Sequence, residues 1–319
     1  MTDEPLITHL FTADPSAHVF DRRLYLYPSH DRETAIPAND NGDQYDMVDY
    51  HVFSLEDIGG PVTDHGVVLA LADVPWASRQ LWAPDAARRG GAYYLYFPAR
   101  DREGIFRIGV AIGDRPEGPF RAEPEPIAES FSIDPCCFVD DDGQAYLYFG
   151  GIWGGQLQCW KSGSFDPAGK EPAGDVPALM PRVARLADHM RSFVGDVREL
   201  QIVDDRGRPL RADDHDRRFF EAAWMHKREG IYYFSYSTGD THFLAYATAD
   251  NPLGPFTYRG VILEPVIGWT THHSIVEFKG KWYLFYHDAS LSGGKSHLRC
   301  VKVTEITYAA DGSLHLALS

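Results

Sequence analysis

Tyr93-Tyr94-Leu95-Tyr96-Phe97 is one of five short aromatic segments that recur along this chain, and their repetition decides the fold. The equivalents are Leu24-Tyr25-Leu26-Tyr27, Ala145-Tyr146-Leu147-Tyr148-Phe149, Tyr232-Tyr233-Phe234-Ser235-Tyr236 and Trp282-Tyr283-Leu284-Phe285-Tyr286. A turn rich in Asp, Gly, Lys or Arg precedes each segment, which is a hairpin signal. Five repeats built from several short strands predict an all-β, five-bladed β-propeller, in which equivalent positions of the blades meet at one axis.

A residue capable of chemistry precedes each aromatic strand at a nearly constant distance. The strands are aligned on Tyr25, Tyr94, Tyr146, Tyr233 and Tyr283. The positions eleven or twelve residues earlier are then Asp14, Trp82, Asp134, Glu221 and His272. A repeated scaffold needs equivalent strands, but it does not need three carboxylates, a tryptophan and an imidazole in the same phase. We therefore expect these five side chains to meet at the centre of the ring.

Composition and charge exclude several classes of function. The 319 residues suit a single propeller domain, residues 1–319, and the net charge of −16 argues against nucleic acid and anionic membranes as partners. No apolar run is long enough to span a bilayer, and the N-terminus lacks the features of a signal peptide, so a cytoplasmic location is expected. The four cysteines show no metal-ligand spacing and are expected to be reduced, with Cys136 and Cys137 on opposite faces of a strand.

The gap between repeats is longest between the third and fourth, where residues 167–218 are expected to form a short helical and loop insertion. Within it, Ala184-Arg185-Leu186-Ala187-Asp188-His189-Met190 predicts a short amphipathic helix. The insertion is too short for a core of its own, so we expect it to overhang the ring and shape the entrance to a site. Asp140-Asp141-Asp142-Gly143 resembles half a calcium loop, but it lacks the downstream Glu and is interpreted as a hairpin turn.

The three carboxylates are the groups that hydrolysis of a glycosidic bond requires. One acid protonates the leaving oxygen, one base activates water on the opposite face of the sugar, and a third carboxylate keeps the acid protonated by repulsion. Glu221 lies in the apolar stretch Phe219–Trp224, which favours its protonated form, so it is the candidate general acid. Asp14 and Asp134 each precede a proline, and spacing alone does not decide which is the base and which modulates the acid.

Trp82 could stack on the apolar face of a sugar, but a lone tryptophan is as readily explained as a core residue. His272 and His273 are neighbours in a predicted strand, so only one of them can reach the axis. Neither an HxH nor an HExxH motif is present, and at most one imidazole would bind an ion that is otherwise held by water.

These pieces, in this order along nearly the whole chain, resemble glycoside hydrolase family 43, the five-bladed β-propeller enzymes that act on xylan and arabinan side chains. The matching pieces are Ala13-Asp14-Pro15-Ser16 with Tyr25-Leu26-Tyr27, Trp82-Ala83-Pro84-Asp85, Ile133-Asp134-Pro135, Phe220-Glu221-Ala222-Ala223-Trp224, Thr271-His272-His273-Ser274-Ile275-Val276 and Leu298-Arg299-Cys300-Val301-Lys302-Val303. Each piece is weak alone, but the ordered set is specific. The resemblance implies an inverting exo-glycosidase of the β-xylosidase and α-L-arabinofuranosidase type, which acts on small xylo-oligosaccharides or arabinoxylan oligosaccharides.

The resemblance also implies a role for each site residue. Asp14 would be the general base, Asp134 the pKa modulator and Glu221 the general acid, with acid and base about 6.5–9.5 Å apart. Arg299 would reach the substrate sugar, and Trp82 would wall the subsite of the non-reducing sugar. The resemblance further implies that His272 faces a central ion, often calcium, and that no organic cofactor is needed.

Larger xylosidases of this family carry a C-terminal β-sandwich that closes the pocket, and this chain stops soon after its last blade. The insertion, or a neighbouring copy in a homo-oligomer, is therefore expected to close it. Three alternatives stay open, one of which is the five-bladed fructan-cleaving hydrolases, retaining enzymes whose carboxylates would lie about 5–5.5 Å apart. An endo-arabinanase needs an open groove, and a catalytically silent sugar-binding propeller gains little from three charges that repel one another.

Overall fold

The computed structural model describes residues 4–269 and 271–317, and within them 22 strands form five sheets of four or five strands each. Met1 to Asp3, which belong to the N-terminus from which the absence of a signal peptide is predicted, lie outside the described residues. The helical segments of the described residues are three short 3₁₀ turns, at Leu71–Asp73, Trp153–Gly155 and Leu157–Trp160. No described helix has the length and apolar character needed to cross a lipid bilayer.

The first sheet contains β1 (Phe11–Phe20), β2 (Arg23–Asp31), β3 (Asp49–Leu55) and β4 (Thr63–Ala70). The second contains β5 (Ala77–Arg79), β6 (Asp85–Arg89), β7 (Ala92–Asp101), β8 (Phe106–Gly113) and β9 (Arg121–Ala122). The third contains β10 (Cys136–Val139), β11 (Ala145–Phe149), β12 (Arg182–Leu186) and β13 (Phe193–Glu199). The fourth contains β14 (Ile202–Val203), β15 (Phe219–Arg228), β16 (Ile231–Thr238), β17 (Leu244–Ala249) and β18 (Phe256–Leu263). The fifth contains β19 (His273–Phe278), β20 (Lys281–Asp288), β21 (Cys300–Tyr308) and β22 (Leu314–Leu316).

The innermost strand of each sheet contacts the innermost strands of both neighbouring sheets. Strand β1 contacts β6 and β19, β10 contacts β6 and β15, and β15 contacts β19. Backbone hydrogen bonds also join the first and last blades, from the Leu6 N–H to the Val301 carbonyl and from the Thr12 N–H to the Arg299 carbonyl. The five sheets therefore form a closed ring, and the predicted five-bladed β-propeller is confirmed.

The aromatic segments form the second strand of each blade, where both faces are covered by other blades. In β7, Tyr93, Leu95 and Phe97 pack in the core shared with the first blade. Tyr94 and Tyr96 pack in the core shared with the third blade. Because successive side chains of a strand point to opposite faces, a strand buried on both faces needs apolar or aromatic residues at every position.

Two-residue turns lead into four of the five aromatic strands, as the sequence predicts. Both residues of each turn have positive φ, which type I′ hairpin turns require. The four turns are Asp21-Arg22, Gly90-Gly91, Glu229-Gly230 and Lys279-Gly280. The fifth connection, Asp140 to Gly143, also joins two paired strands, β10 and β11, and is a turn as predicted.

The helix predicted at residues 184–190 is wrong. Residues Arg182–Leu186 form β12, which pairs with β11 as the third strand of the third blade, and the chain then turns into β13. A seven-residue apolar pattern is too short to separate helix from strand, and backbone pairing with β11 decides the outcome. The segment 167–218 thus holds the two outer strands of the third blade, together with β14, which pairs in parallel with β18.

The four cysteines are buried and unbridged, in agreement with the sequence prediction. Cys136 packs in the core between the third and fourth blades, and Cys137 packs in the core between the second and third. The adjacent thiols therefore point to opposite faces of β10, as the alternation of a strand requires.

Candidate active site

A cavity of about 380 Å³ lies at the end of the ring where the inner strands begin. Its wall includes all five side chains that the sequence predicts at the centre, namely Asp14, Trp82, Asp134, Glu221 and His272. Asp14 lies in β1 and Glu221 in β15, whereas the other three come shortly before β6, β10 and β19. The fixed phase seen in the sequence thus corresponds to one structural position, the N-terminal end of each inner strand.

The backbone at the three acids departs from regular strand geometry. Asp14 has φ 50°, Asp134 has φ 55°, and Ala222, which follows Glu221, has φ 64°. The pairing of β1 with β2 shifts register beside Asp14, and the pairing of β15 with β16 shifts register beside Glu221. Bulges of this kind re-aim side chains at the rim of a sheet, and here they direct the carboxylates of Asp14 and Glu221 into the cavity.

Asp14 is buried and is held in its charged form. Nη1 of Arg299 donates to its Oδ1 at 3.1 Å, and the Ser29 hydroxyl donates to its Oδ2. Its backbone N–H donates to Nδ1 of His287 at 2.9 Å. Burial would raise the pKa of this carboxyl, but the charge of Arg299, with a smaller contribution from His287, lowers the pKa well below its usual range. Asp14 is therefore a carboxylate at neutral pH and far into the acid range.

Asp31 anchors Arg299. Its carboxylate accepts hydrogen bonds from the backbone N–H, Nε and Nη2 of Arg299, each at 2.8 Å. The guanidinium also lies over the ring of Tyr45, 4.9 Å from its centroid. Burial would lower the pKa of Arg299, but Asp14 and Asp31 together raise it above its usual value. Arg299 was predicted from the sequence, whereas Asp31 and Tyr45 were not.

Asp134 and Glu221 interact as like charges. Burial raises the pKa of Asp134 well above its usual range, and the charges of Glu221 and Asp14 raise it further. A hydrogen bond of 2.7 Å from the Ala222 N–H to Oδ2 of Asp134 acts in the opposite direction. Two carboxyls that repel each other titrate as a pair, which keeps one proton at pH values where isolated carboxyls have lost theirs. Glu221 is the less buried of the two.

His272, and not His273, faces the cavity. Nδ1 of His272 accepts the backbone N–H of His273 at 2.8 Å, and its buried Nε2 has no hydrogen-bond partner among the described residues. Burial lowers the pKa of His272 to about 4, although Asp14 acts to raise it, so the ring is neutral at pH 7. His273 points to the fourth blade, where its Nε2 lies 2.6 Å from the Ser235 hydroxyl.

Trp82 forms one side of the cavity wall. Its Nε1 donates to the Tyr45 carbonyl at 2.8 Å, and its ring lies 4.6 Å from the ring of Phe106 between centroids. Gly42, with φ 73°, packs against the same ring, and a Cβ at this position would lie 2.5 Å from Cη2 of Trp82. Contacts with Gly42 and Tyr45 of the β2–β3 connection therefore fix the position of Trp82 in the cavity wall.

Other loops, which were not predicted from the sequence, complete the cavity wall. Seven of the residues 38–47 in the β2–β3 connection, residues 152–155 after β11, and Trp269 line the cavity. Trp153 and Trp269 stack with their ring centroids 5.7 Å apart. The segment 167–218 contributes no described lining residue, but Glu171 accepts a hydrogen bond of 3.0 Å from Nε1 of Trp153. The segment expected to shape the entrance thus supplies no wall residue itself and contacts the wall residue Trp153.

Glycines in the segment 150–155 are the sequence signal that could have identified the wall after β11. A Cβ at Gly151 would lie 2.6 Å from the side chain of Ile133 and 3.2 Å from Cβ of Glu221. A Cβ at Gly155 would lie 2.7 Å from the side chain of Ile133. Glycine is therefore required where this loop passes behind the acid.

His272 offers one ligand atom to the central ion that the family resemblance implies. Its Nε2 is buried, lies 3.7 Å from Oδ2 of Asp134, and belongs to a neutral ring, which is the form of imidazole that binds metals. Because Nδ1 accepts the His273 N–H, the ring proton lies on Nε2; binding of an ion at Nε2 would move this proton to Nδ1 and break the hydrogen bond from His273. Calcium prefers oxygen ligands, so water would supply most of the rest. The site therefore offers an ion one imidazole nitrogen, which becomes available only when that hydrogen bond is broken.

Comparison with known proteins gives a consistent result along the whole chain. The family model for Glycosyl hydrolases family 43 matches residues 3–314. The chain is 67% identical over 319 residues to Xylosidase/arabinosidase 43A of Humicola insolens, covering 97% of this chain and 98% of that protein. It is 57% identical over 305 residues to a xylosidase/arabinosidase of Bacteroides ovatus, covering 95% and 94%. It is also similar to a solved GH43 β-xylosidase/α-arabinofuranosidase from a compost microbial metagenome, which is in complex with xylotriose in a calcium-free form. The TM-score is 0.96 and the identity is 65%, and the match covers 98% of this chain and 96% of that chain.

Proposed function

The chain belongs to glycosyl hydrolase family 43 and is a glycoside hydrolase, and we propose that it removes single xylose or arabinofuranose residues from the ends of short xylan-derived oligosaccharides. The observation that carries this proposal is the meeting of a charged Asp14 and the coupled carboxyls Asp134 and Glu221 in one cavity. The xylosidase/arabinosidase names of the relatives support the choice of sugar. A cavity of about 380 Å³ has a size that suits the end of a short chain, whereas an endo-arabinanase needs an open groove.

In this proposal Asp14 is the general base of an inverting displacement. Its two oxygens are held by Arg299 and Ser29, so the carboxylate has one orientation when it accepts a proton from the attacking water. A base with so low a pKa is weak. We propose that Nη1 of Arg299 turns to a sugar hydroxyl when substrate binds, while Asp31 retains Nε and Nη2. The loss of one contact would make Asp14 more basic only in the presence of substrate.

Glu221 is the proposed general acid and Asp134 its pKa modulator. Repulsion within the pair retains a proton, and Glu221, which lines the cavity and is the less buried, can deliver it to the leaving oxygen. Asp134 is fixed by the N–H of Ala222, the residue next to the acid. An ion bound at His272 would supply positive charge that favours the ionised form of Asp134. The ring of His272 itself lies 3.7 Å from this carboxylate.

Substrate binding in this proposal rests on Trp82 and Arg299. The tryptophan ring offers an apolar face for the non-reducing sugar, and the guanidinium is a rigid fork of donors for sugar hydroxyls. β-Xylopyranose and α-L-arabinofuranose present similar hydroxyl geometry, so we propose activity on both. The cytoplasmic location and the homo-oligomer expected from the sequence stay predictions.

The test is hydrolysis of 4-nitrophenyl β-D-xylopyranoside and α-L-arabinofuranoside by wild type, by Glu221→Ala and by the control Glu56→Ala, whose carboxylate is 75% exposed. We expect activity to be lost in Glu221→Ala alone and NMR to detect the inverted anomer first. A product of retained configuration would overturn the mechanism. No activity on either glycoside would overturn the choice of sugar, and release of internal fragments from longer oligosaccharides would favour an endo-acting enzyme.

A further inference from the structure

Three side chains of the first blade, none of which lines the cavity, bring metal-binding atoms together. His30 lies near the end of β2, and Asp49 and His51 lie at the start of β3. One ligand atom of each residue lies within 4.8 Å of the other two, and no other group of three His, Cys, Asp or Glu in the described part of the chain has this property. Their side chains are 14–20% exposed, so the group is accessible and yet held by its surroundings.

Neighbouring groups fix the orientation of His51. Its Nδ1 lies 3.0 Å from Oδ1 of Asp64, whose other oxygen lies 2.9 Å from Nε2 of His9. The ring of His51 also stacks on Phe53, with centroids 6.0 Å apart and an angle of 17° between the planes. A carboxylate that accepts the Nδ1 proton leaves Nε2 as a lone pair, which is the usual support of a metal-binding histidine.

We propose that His30, Asp49 and His51 bind one divalent transition-metal ion, with zinc as the best fit. Two imidazoles and one carboxylate are the ligands that zinc takes in three-residue protein sites, with further positions open to water. Nδ1 of His30 and Oδ1 of Asp49 are already 2.6 Å apart, and the rings of His30 and His51 lie 5.1 Å apart between centroids. Zinc would displace the proton that His30 and Asp49 share, and their two ligand atoms would separate from 2.6 Å to the roughly 3.3 Å that tetrahedral ligands at about 2.0–2.1 Å from zinc require.

An ion bound at this group would restrain the loop that connects β2 to β3. Residues 32–48 connect β2 to β3 and include Gly42 and Tyr45, which line the cavity. Backbone pairing between the two strands extends only to Leu26 and Phe53, so side chains hold the two ends of the loop together beyond that point. His30 lies on one end and Asp49 on the other. An ion between them would close the loop at its base and restrict the loop's conformations.

The test is titration of the full chain with Zn²⁺ by isothermal calorimetry after removal of bound metal with a chelator. We expect a binding event with one ion per chain that is lost in His30→Ala and in His51→Ala. It should be kept in His272→Ala and in His189→Ala, a control for exposed imidazoles. Zn²⁺ should also raise the Tm and slow hydrogen exchange in residues 32–48 of wild type, but not of the two variants.

Binding that persists in His30→Ala and His51→Ala, or that disappears in His272→Ala, would overturn the proposal. So would the absence of saturable binding at millimolar Zn²⁺. If an alanine variant fails to fold, anomalous diffraction at the zinc edge from wild-type crystals locates the ion directly. Density between His30 and His51 would support the site, and zinc found only elsewhere would refute it.

Discussion

Replacing Asp31 by asparagine removes one negative charge from behind the cavity without changing the size of the side chain. In the protein, Asp31 accepts three hydrogen bonds of 2.8 Å from Arg299, and the residues are 2% and 5% exposed. An asparagine keeps one acceptor oxygen, but its amide nitrogen would face a guanidinium donor. Arg299 would then depend on Asp14 for its compensating charge.

The size of the effect follows from the burial of this pair. Removal of one partner of a buried ion pair costs about 3–5 kcal/mol, and we expect the lower end because Asp14 still compensates part of the charge. An unfolding entropy of about 2.1 cal/mol/K per residue gives about 0.67 kcal/mol/K for 319 residues. A loss of about 3 kcal/mol therefore lowers the Tm by about 4–5 °C.

Asp31 does not line the cavity, so its effect on catalysis passes through Arg299. When Nε and Nη2 lose their carboxylate, Arg299 keeps its contact with Asp14 but is no longer anchored from the other side, so the guanidinium and the Asp14 carboxylate can shift. Misplacement of such a group by about 1 Å costs about 100-fold in rate, and we expect a loss of this order in kcat/KM.

The assay combines differential scanning calorimetry with steady-state kinetics on both nitrophenyl glycosides. The control is Asp175→Asn, which removes the charge from an aspartate that also binds an arginine, Arg211, but is 86% exposed. The control should change the free energy of unfolding by less than about 0.5 kcal/mol. If Asp31→Asn moved the Tm no more than the control, or left kcat/KM unchanged, the reasoning about the anchored guanidinium would be refuted.

Three further changes test the neighbouring parts of the site. Asp134→Asn removes the charge that repels the Glu221 carboxylate, so Glu221 should lose its proton at a lower pH than in wild type. A pH–rate profile should therefore show that kcat begins to fall at a lower pH. His272 has a pKa of about 4 when folded and 6.5 when unfolded, so its unfolded form binds the proton first and stability falls as the pH drops through this interval. Urea unfolding at several pH values should give a flatter profile for His272→Gln, and an unchanged slope would contradict this. Gly151→Ala places a Cβ 2.6 Å from Ile133, so we expect a loss of about 1–3 kcal/mol in stability and lower activity; wild-type values for both would refute the close approach.

The positions of Asp14, Asp134 and Glu221 could be predicted because a propeller repeats the same order of strands and turns in every blade. The turn and the second strand that follow each inner strand are strong local signals, and the phase they define places equivalent residues at the axis. Asp31 carries no such signal. Its contact with Arg299 spans 268 residues of sequence, and only closure of the ring brings the last blade against the first.

The error at residues 184–190 has a related cause. Arg182–Leu186 has a burial pattern that is nearly continuous, because the third strand of a blade is also covered on both sides. Such a short apolar run is compatible with a helix or a strand, and backbone pairing with the neighbouring β11 determines that it is a strand. The loop at residues 32–48 was missed for a different reason, since it contributes side chains to the cavity without strand or helix periodicity.

The strained backbone at the acids links the geometry of the site to its electrostatics. Asp14, Asp134 and Ala222 adopt left-handed conformations that cost residues with a side chain of the order of 1–3 kcal/mol each, so surrounding contacts must hold them. The N–H of Ala222 donates to Asp134, and the same hydrogen bond therefore fixes the backbone beside Glu221 and acts on the pKa of its partner. The substitution Asp134→Asn retains an acceptor for that N–H and removes only the negative charge, so it tests the effect of the charge by itself. Alanine would release the backbone as well, so a loss of activity in that variant would not distinguish a misplaced acid from an acid with an altered proton affinity.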